Sequence, residues 1–267
     1  MGPAATARPP AYDAPVTELL YAIDAYLRRF DATVVDVDRE QGRVALGRSA
    51  FYPGGGGQPH DVGVLRWDGA EAAVTRVRAE RGVVWHTLGL DDPDALPGAG
   101  TEVDGDLDWH RRHALMRTHT ALHVLCGVIW ADFGVAVTGG NMEPGRGRLD
   151  FELDAMSAEL GERVERRVNE EVARAREILV DFVPRSAAGD DPALIRTKAD
   201  LIPASVDPLR VIEIVGLDRQ ADGGTHVAST AEVGRIEVVG TESKGKANKR
   251  IRLVVTGERP EPAEAVL

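Results

Sequence analysis

Short alternations of apolar and polar residues dominate the first hundred positions. Residues 32–37 and 42–47 alternate with a period of two around a polar connection, and residues 63–67, 72–77 and 82–88 repeat the pattern with Gly- and Asp-rich turns between them. Such spacing predicts paired short strands, and several in succession predict a small β-barrel-like domain over residues 16–107. Residues 17–30 read as a short helix or an entry segment, and residues 91–100, with two prolines and two glycines, as a loop near the boundary. From residue 108 the texture changes. Residues 109–133 are long and apolar enough for a helix, with Leu115, Leu122, Leu125 and Ile129 on its buried face. Residues 159–178 predict a charged amphipathic helix, because Leu160, Val164, Val168, Val172 and Ala175 recur at helical spacing. Strands are predicted at 135–138, 148–152, 180–183, 209–215, 236–239 and 251–255. The second domain, 108–257, is therefore α+β, with helices packed on a mostly antiparallel sheet. The Ala/Pro-rich residues 1–15 read as a disordered tail and residues 258–267 as a second tail; no internal repeat is evident.

Composition narrows the possibilities. A hydrophobic content of 43% over 267 residues supports a sizeable core. No apolar run reaches the ~18 residues of a membrane helix, so no membrane partner is expected. The N-terminus lacks a secretory signal, and the single cysteine, Cys126, excludes an intramolecular disulfide; both point to a reducing cytoplasm. The net charge of −11 argues against indiscriminate nucleic-acid binding and against DNA as a partner. It leaves room for local basic patches. One is residues 244–252, with five positive charges and no acid; another is His110-Arg111-Arg112-His113 with Arg117. Either is equally readable as a solvated loop or helix end.

Two pairs with the same internal spacing carry candidate chemistry. His119 and His123 lie one turn apart on one face of the predicted helix, about 6 Å along its axis, where two imidazoles can converge on one ion. Position 120 is Thr, not the Glu of metalloproteases, so proteolysis gains no support. Asp222 and His226 flank Gly223-Gly224-Thr225, and two glycines permit a bend that turns both side chains to one point. Alone, the first pair reads better as a surface or core histidine pair, and the second as a turn with an incidental histidine. Together they offer four ligands for one divalent metal, with zinc suited to imidazole and carboxylate alike. Cys126 lies about 10 Å along the helix from His119 and reads as a small buried residue. The run Phe51-Tyr52-Pro53-Gly54-Gly55-Gly56-Gly57-Gln58-Pro59 is not a Walker loop. Four ordered glycines would imply close backbone approach to a ligand or to another segment; otherwise the loop is flexible.

These pieces resemble a family. Residues 117–123 and 223–226 are similar to the two signatures of the editing domain of alanyl-tRNA synthetases and of the freestanding AlaX-type alanyl-tRNA editing proteins. The glycine-rich run Gly54, Gly55, Gly56, Gly57 and Gln58, followed by Asp61 and Gly63, resembles the β-domain motif of the longer members, and residues 244–251 resemble the C-terminal motif. The resemblance spans about residues 17–256, with no synthetase core ahead of it. It implies a trans-editing hydrolase that deacylates mischarged tRNA(Ala), carrying serine or glycine, through a metal-positioned water. It implies one divalent metal, zinc, held by His119, His123, Asp222 and His226. The family's commonest pattern has Cys where Asp222 stands, which leaves Asp222 either as a ligand or as a partner behind three histidines. Thr138 and Gly139 match the region that senses the serine hydroxyl. Gly224 and Thr225 are implied beside them, and Lys244, Lys246 and Arg250 at the tRNA acceptor end. A small-molecule ester or amide hydrolase on the same fold, and a non-catalytic aminoacyl-tRNA binder, are the rival readings. Oligomeric state, monomer or homodimer, is left open.

Overall fold

The computed structural model describes residues 16–154, 157–188, 194, 206–243 and 248–257. The short strands of the first half close on themselves. Strands β2 (Arg29–Asp38), β3 (Arg43–Leu46), β5 (Gly63–Trp67), β6 (Ala70–Glu80), β7 (Val83–Leu88) and β8 (Glu102–Leu107) form a closed antiparallel barrel in the order β2-β3-β7-β6-β5-β8. Closure removes the exposed edges that so small a sheet would otherwise present. Two further two-residue strands, β1 (Glu18–Leu19) and β4 (Arg48–Ser49), pair in parallel, so residues 17–30 enter as a strand and a single 3₁₀ turn rather than a helix. Strand β8 lacks a clear sequence signature because one of its inward positions is Gly105. A Cβ there would come within 2.3 Å of the Phe30 ring, which takes the space instead. Phe30, Val34, Val44, Leu46, Phe51, Leu65 and Val74 form the heart of the barrel core.

Inside that core lies a buried histidine. The ring nitrogen Nε2 of His86 sits 2.8 Å from Ser49 Oγ, and Ser49 Oγ also accepts the backbone N–H of Phe51. Burial pushes the His86 pKa down from 6.5 to about 4. The unfolded chain therefore takes up a proton that the folded barrel refuses. Stability from the neutral ring is fully present above pH 6.5 and is lost as pH falls toward 4, by about 2 kcal/mol between pH 7 and 5. Urea unfolding at the two pH values is expected to give a shallower pH dependence in His86→Gln than in the wild type; equal slopes would remove His86 as a cause.

The second half is built on helix α1 (Trp109–Phe133). Asp108 caps it by accepting the Arg111 N–H, and Gly134, at φ 67°, ends it in the left-handed conformation. Its expected single apolar stripe proves to be burial all round, from Leu115 to Ile129. The helix packs on β9 (Val137–Glu143), β10 (Arg146–Phe151), β13 (Asp218–Ala221) and β15 (Lys249–Thr256), and against helix α2 (Ala158–Ala173). Strand β14 (Arg235–Ser243) completes the antiparallel sheet β14-β15-β10-β9; β11 (Ile178–Val183) and β12 (Leu209–Ile214) form a second antiparallel sheet with β13. The fold is thus α+β, as the patterning predicts. Helix α2 stops five residues short of the expected end. Ala175 turns left-handed at φ 51°, Arg176 N–H is held by Thr230 Oγ1, and Ile178 N–H by Ala228 O, so the last apolar positions enter a strand. Among the described residues no helix is long and apolar enough to cross a membrane.

Candidate metal centre

The four proposed ligands meet. His119 and His123 project from α1, while Asp222 and His226 flank the turn that follows β13. One ligand atom from each of the four lies within 4.8 Å of the others. The three imidazole ring centres are 5.0, 4.3 and 4.6 Å apart. Asp222 Oδ2 is 3.1 Å from His226 Nε2 and Oδ1 is 3.8 Å from His119 Nε2. Cys126 is not among the ligands; it is buried in the core around α1.

The turn carrying Asp222 and His226 is held by Arg210 on β12. Its Nη1 donates to the carbonyls of Asp222 and Gly224, its Nε donates to Ala22 O, and its own carbonyl accepts the Asp222 N–H. Asp222 Oδ2 accepts the Gly224 N–H at 2.7 Å, closing the turn on itself. Neither Gly223 nor Gly224 has a left-handed backbone. Gly224 is needed for clearance instead: a Cβ would lie 2.3 Å from His119 Cε1 and 2.7 Å from Gln58 Oε1.

Each imidazole is held from behind by a side chain that sequence spacing did not reveal. His119 Nδ1 meets Gln58 Oε1 at 3.0 Å, His226 Nδ1 meets Thr120 Oγ1 at 3.2 Å, and His123 Nδ1 meets Asp218 Oδ2 at 3.1 Å. Gln220 Nε2 donates to the same Asp218 oxygen at 2.6 Å. The only hint in the sequence is that β13 reads polar, Asp-Arg-Gln-Ala, where an inward face should be apolar: Asp218 and Gln220 point to the histidine.

Burial sets the charge state. It lowers the His119 pKa to about 4 and takes that of His226 well below its ordinary value. Burial opposes ionisation of Asp222, but His119 and the hydrogen-bonded His226 more than offset it, so its pKa falls well below the usual carboxylate range. Neutral imidazoles beside an ionised carboxylate are the donor set that zinc and similar divalent ions take, so these residues fit a metal.

The glycine-rich loop covers this centre. Gly54, Gly55, Gly56 and Gly57 all have positive φ, from 55° to 140°, a run open only to glycine. Gly55 and Gln58 exchange both backbone hydrogen bonds, and Gly57 O accepts the Met142 N–H of β9. A Cβ on Gly57 would lie 3.1 Å from Gly140 O, and one on Gly56 would lie 4.0 Å from Asp222 Oδ1. The loop therefore bridges the His/Asp cluster and the strand bearing Thr138 and Gly139. Thr138 Oγ1 is buried and has no hydrogen-bond partner among the described residues. Thr225 is fully buried, its hydroxyl and its N–H both engaged by Gln58.

The basic segments differ from their sequence reading. Lys244 and Lys246 lie outside the described residues. Arg250 is gripped by Asp150, with Nε to Oδ1 at 2.7 Å and Nη2 to Oδ2 at 2.8 Å. The stretch 110–117 is no solvated patch: Arg112 is fully buried against Asp61, and Arg117 donates to the Val233 carbonyl.

Comparison with known proteins agrees with this geometry. Residues 16–111 match the family model for class II (A) tRNA synthetases, and residues 209–252 match that for the threonyl and alanyl tRNA synthetase second additional domain. A barrel joined to such a domain, which carries a His/Asp cluster, defines a relative of the accessory modules of these synthetases. The chain is 36% identical over 242 residues to the alanyl-tRNA editing protein AlaX-M of Saccharolobus solfataricus, covering 90% of this chain and 99% of that protein. It is 34% identical over 238 residues to the AlaX-M of Methanosarcina barkeri, covering 88% and 98%. It also resembles the alanine–tRNA ligase of Pyrococcus furiosus, 35% identical over 233 residues, 86% of this chain but 25% of the ligase. The chain belongs to the AlaX-M family of alanyl-tRNA editing proteins.

Proposed function

We propose that this protein hydrolyses the ester of mischarged tRNA(Ala), most of all seryl-tRNA(Ala), with glycyl-tRNA(Ala) as the second candidate substrate. The observation that carries the reading is a complete four-ligand cluster roofed by an ordered glycine loop, in a chain of this family. His119, His123, Asp222 and His226 would hold one divalent ion, for which zinc is the natural choice. A bound divalent ion supplies Lewis acidity for the attack of water on an ester. The chain's own residues do the rest. Asp222, with 16% of its side chain exposed against 8% or less for the three histidines, marks the open side by which the aminoacyl end would approach. Gly54 to Gly57 offer backbone without side chains there, so the ester can come close. The buried, unpartnered Thr138 hydroxyl, with Gly139 beside it, is suited to bind the serine hydroxyl that alanine lacks. A buried hydrogen-bonding group discriminates better than pocket size alone. Gly224 and Thr225 would wall the site opposite. Lys244 and Lys246 are assigned to acceptor-end phosphates; Arg250 could join them only by sharing its guanidinium with Asp150.

The test is a deacylation assay on metal-replete protein. Serine is expected to leave Ser-tRNA(Ala) rapidly while Ala-tRNA(Ala) is spared. Release of serine no faster than in buffer would overturn the proposal, and equal rates on a free seryl ester would favour small-molecule hydrolysis instead.

A further inference from the structure

The barrel contributes to the metal centre itself. Gln58 is 3% exposed and lies 61 residues before His119 in the chain, on the far side of the domain junction. Its amide orientation is fixed by a backbone group. The Thr225 N–H can only donate, and it points at Oε1 from 3.1 Å, so that atom is the carbonyl oxygen. The amide nitrogen then faces Thr225 Oγ1 at 2.9 Å, where it donates. The same Oε1 lies 3.0 Å from His119 Nδ1. An oxygen facing an imidazole nitrogen requires that nitrogen to carry the proton. His119 is thereby held in the Nδ1–H tautomer, with the lone pair on Nε2, the nitrogen nearer Asp222. Gly224 leaves space for that ring's edge, which a Cβ at this position would overlap at 2.3 Å from Cε1 and 2.4 Å from Nδ1.

We propose that Gln58 is a positioning residue for metal binding, and that the seating of the 54–58 loop and the occupancy of the metal centre form one coupled equilibrium. This rests on the metal-site reading above. Every part of the loop serves that seating. Four left-handed glycines bring residue 58 into register, the Gly55–Gln58 pair closes the turn, and the Gly57 carbonyl is tied to β9. Partners behind a metal-bound histidine typically set 10–100-fold in metal affinity. Coupling is reciprocal, so whatever the seated loop adds to metal affinity, the metal returns as stability of the loop.

Two measurements on the full chain test this, with Co²⁺ as the probe. Metal-free wild type, Gln58→Ala and Gln58→Glu are titrated with Co²⁺ and followed by its visible absorption. Gln58→Ala is expected to bind about 10–100-fold more weakly. Gln58→Glu is expected to stay within a few-fold of wild type, because a carboxylate still accepts from both His119 and Thr225. In the second measurement, amide exchange at residues 54–58 is expected to slow when Co²⁺ is added to wild type and to be unchanged by Co²⁺ in Gln58→Ala. Wild-type affinity in Gln58→Ala, or loop exchange in wild type indifferent to the metal, would overturn the proposal while leaving the metal site intact. Wild-type protein that binds no Co²⁺ would overturn the metal-site reading and this proposal with it. If Gln58→Ala fails to fold, Gln58→Glu decides: affinity lost tenfold or more there rejects the acceptor role.

Discussion

His226→Ala is expected to empty the metal centre and to reduce deacylation to the background rate. The ring sits at the middle of the cluster, its centre 4.3 Å from that of His119 and 4.6 Å from that of His123, with Asp222 Oδ2 3.1 Å from its Nε2. Its removal takes away one of four candidate donors and also the ring that lies at hydrogen-bonding distance from Asp222. What remains is two imidazoles and a carboxylate that has lost a neighbour keeping it ionised. Losing a partner behind a ligand costs up to ~100-fold in affinity; losing a ligand should cost more than that. Fold is not at stake to the same degree, since Arg210 holds the turn through backbone carbonyls and not through His226. Elemental analysis of dialysed protein alongside the Ser-tRNA(Ala) assay checks the expectation. A variant that keeps its metal and its turnover would remove His226 from the site, and one that loses metal but still deacylates would detach the metal from the chemistry.

The candidate ligands are legible in the sequence for a simple reason: each pair is local. Helical spacing brings His119 over His123, and a five-residue turn brings Asp222 to His226, so neither depends on knowing the rest of the fold. The groups that steady them are not local. Gln58, Thr120 and Asp218 reach their histidines across 61, 106 and 95 residues, distances that only the packing of the barrel loop, and of β13 with its turn, against α1 resolves. The barrel itself was readable from period-two alternation, except where Gly105 gave up its side chain to Phe30. The apolar period runs past the true end of helix α2, because Ala175 keeps the helical spacing although its backbone has already left the helix. The basic run 110–117 departs furthest from what its charge suggests. Charge by itself suggests solvent or phosphate, yet Arg112 and Arg117 turn inward, because α1 begins at the seam between the two halves and its first turns have backbone carbonyls and a carboxylate to satisfy.

That seam yields the largest expected loss of stability. Arg112 is fully buried and Asp61 almost so. Nε and Nη2 of Arg112 both donate to Asp61 Oδ2, Nη1 donates to Ala25 O at 2.9 Å, and Nη2 also donates to Ala50 O. The same Asp61 oxygen accepts the Tyr52 N–H at 2.7 Å. One guanidinium thus joins the entry segment, the residue before the glycine-rich loop and the loop's far end to the first turn of α1. Arg112→Ala leaves Asp61 buried with its counter-charge gone, and breaking a buried pair from one side costs about 3–5 kcal/mol. Arg112→Lys keeps the charge but cannot reproduce the planar fork that reaches three acceptors, so it should recover only part of the loss. Replacing both partners, Arg112→Met with Asp61→Leu, removes the orphaned charge and should regain part of the stability, since apolar pairs of similar volume often match buried ion pairs, while the Tyr52 N–H and the Ala25 and Ala50 carbonyls stay unpaired. Urea unfolding of the three variants against wild type measures this directly. The double variant also separates two roles: if it is stable yet binds metal more weakly than wild type, the Arg112–Asp61 pair is what aims the loop, and Gln58 with it, at His119.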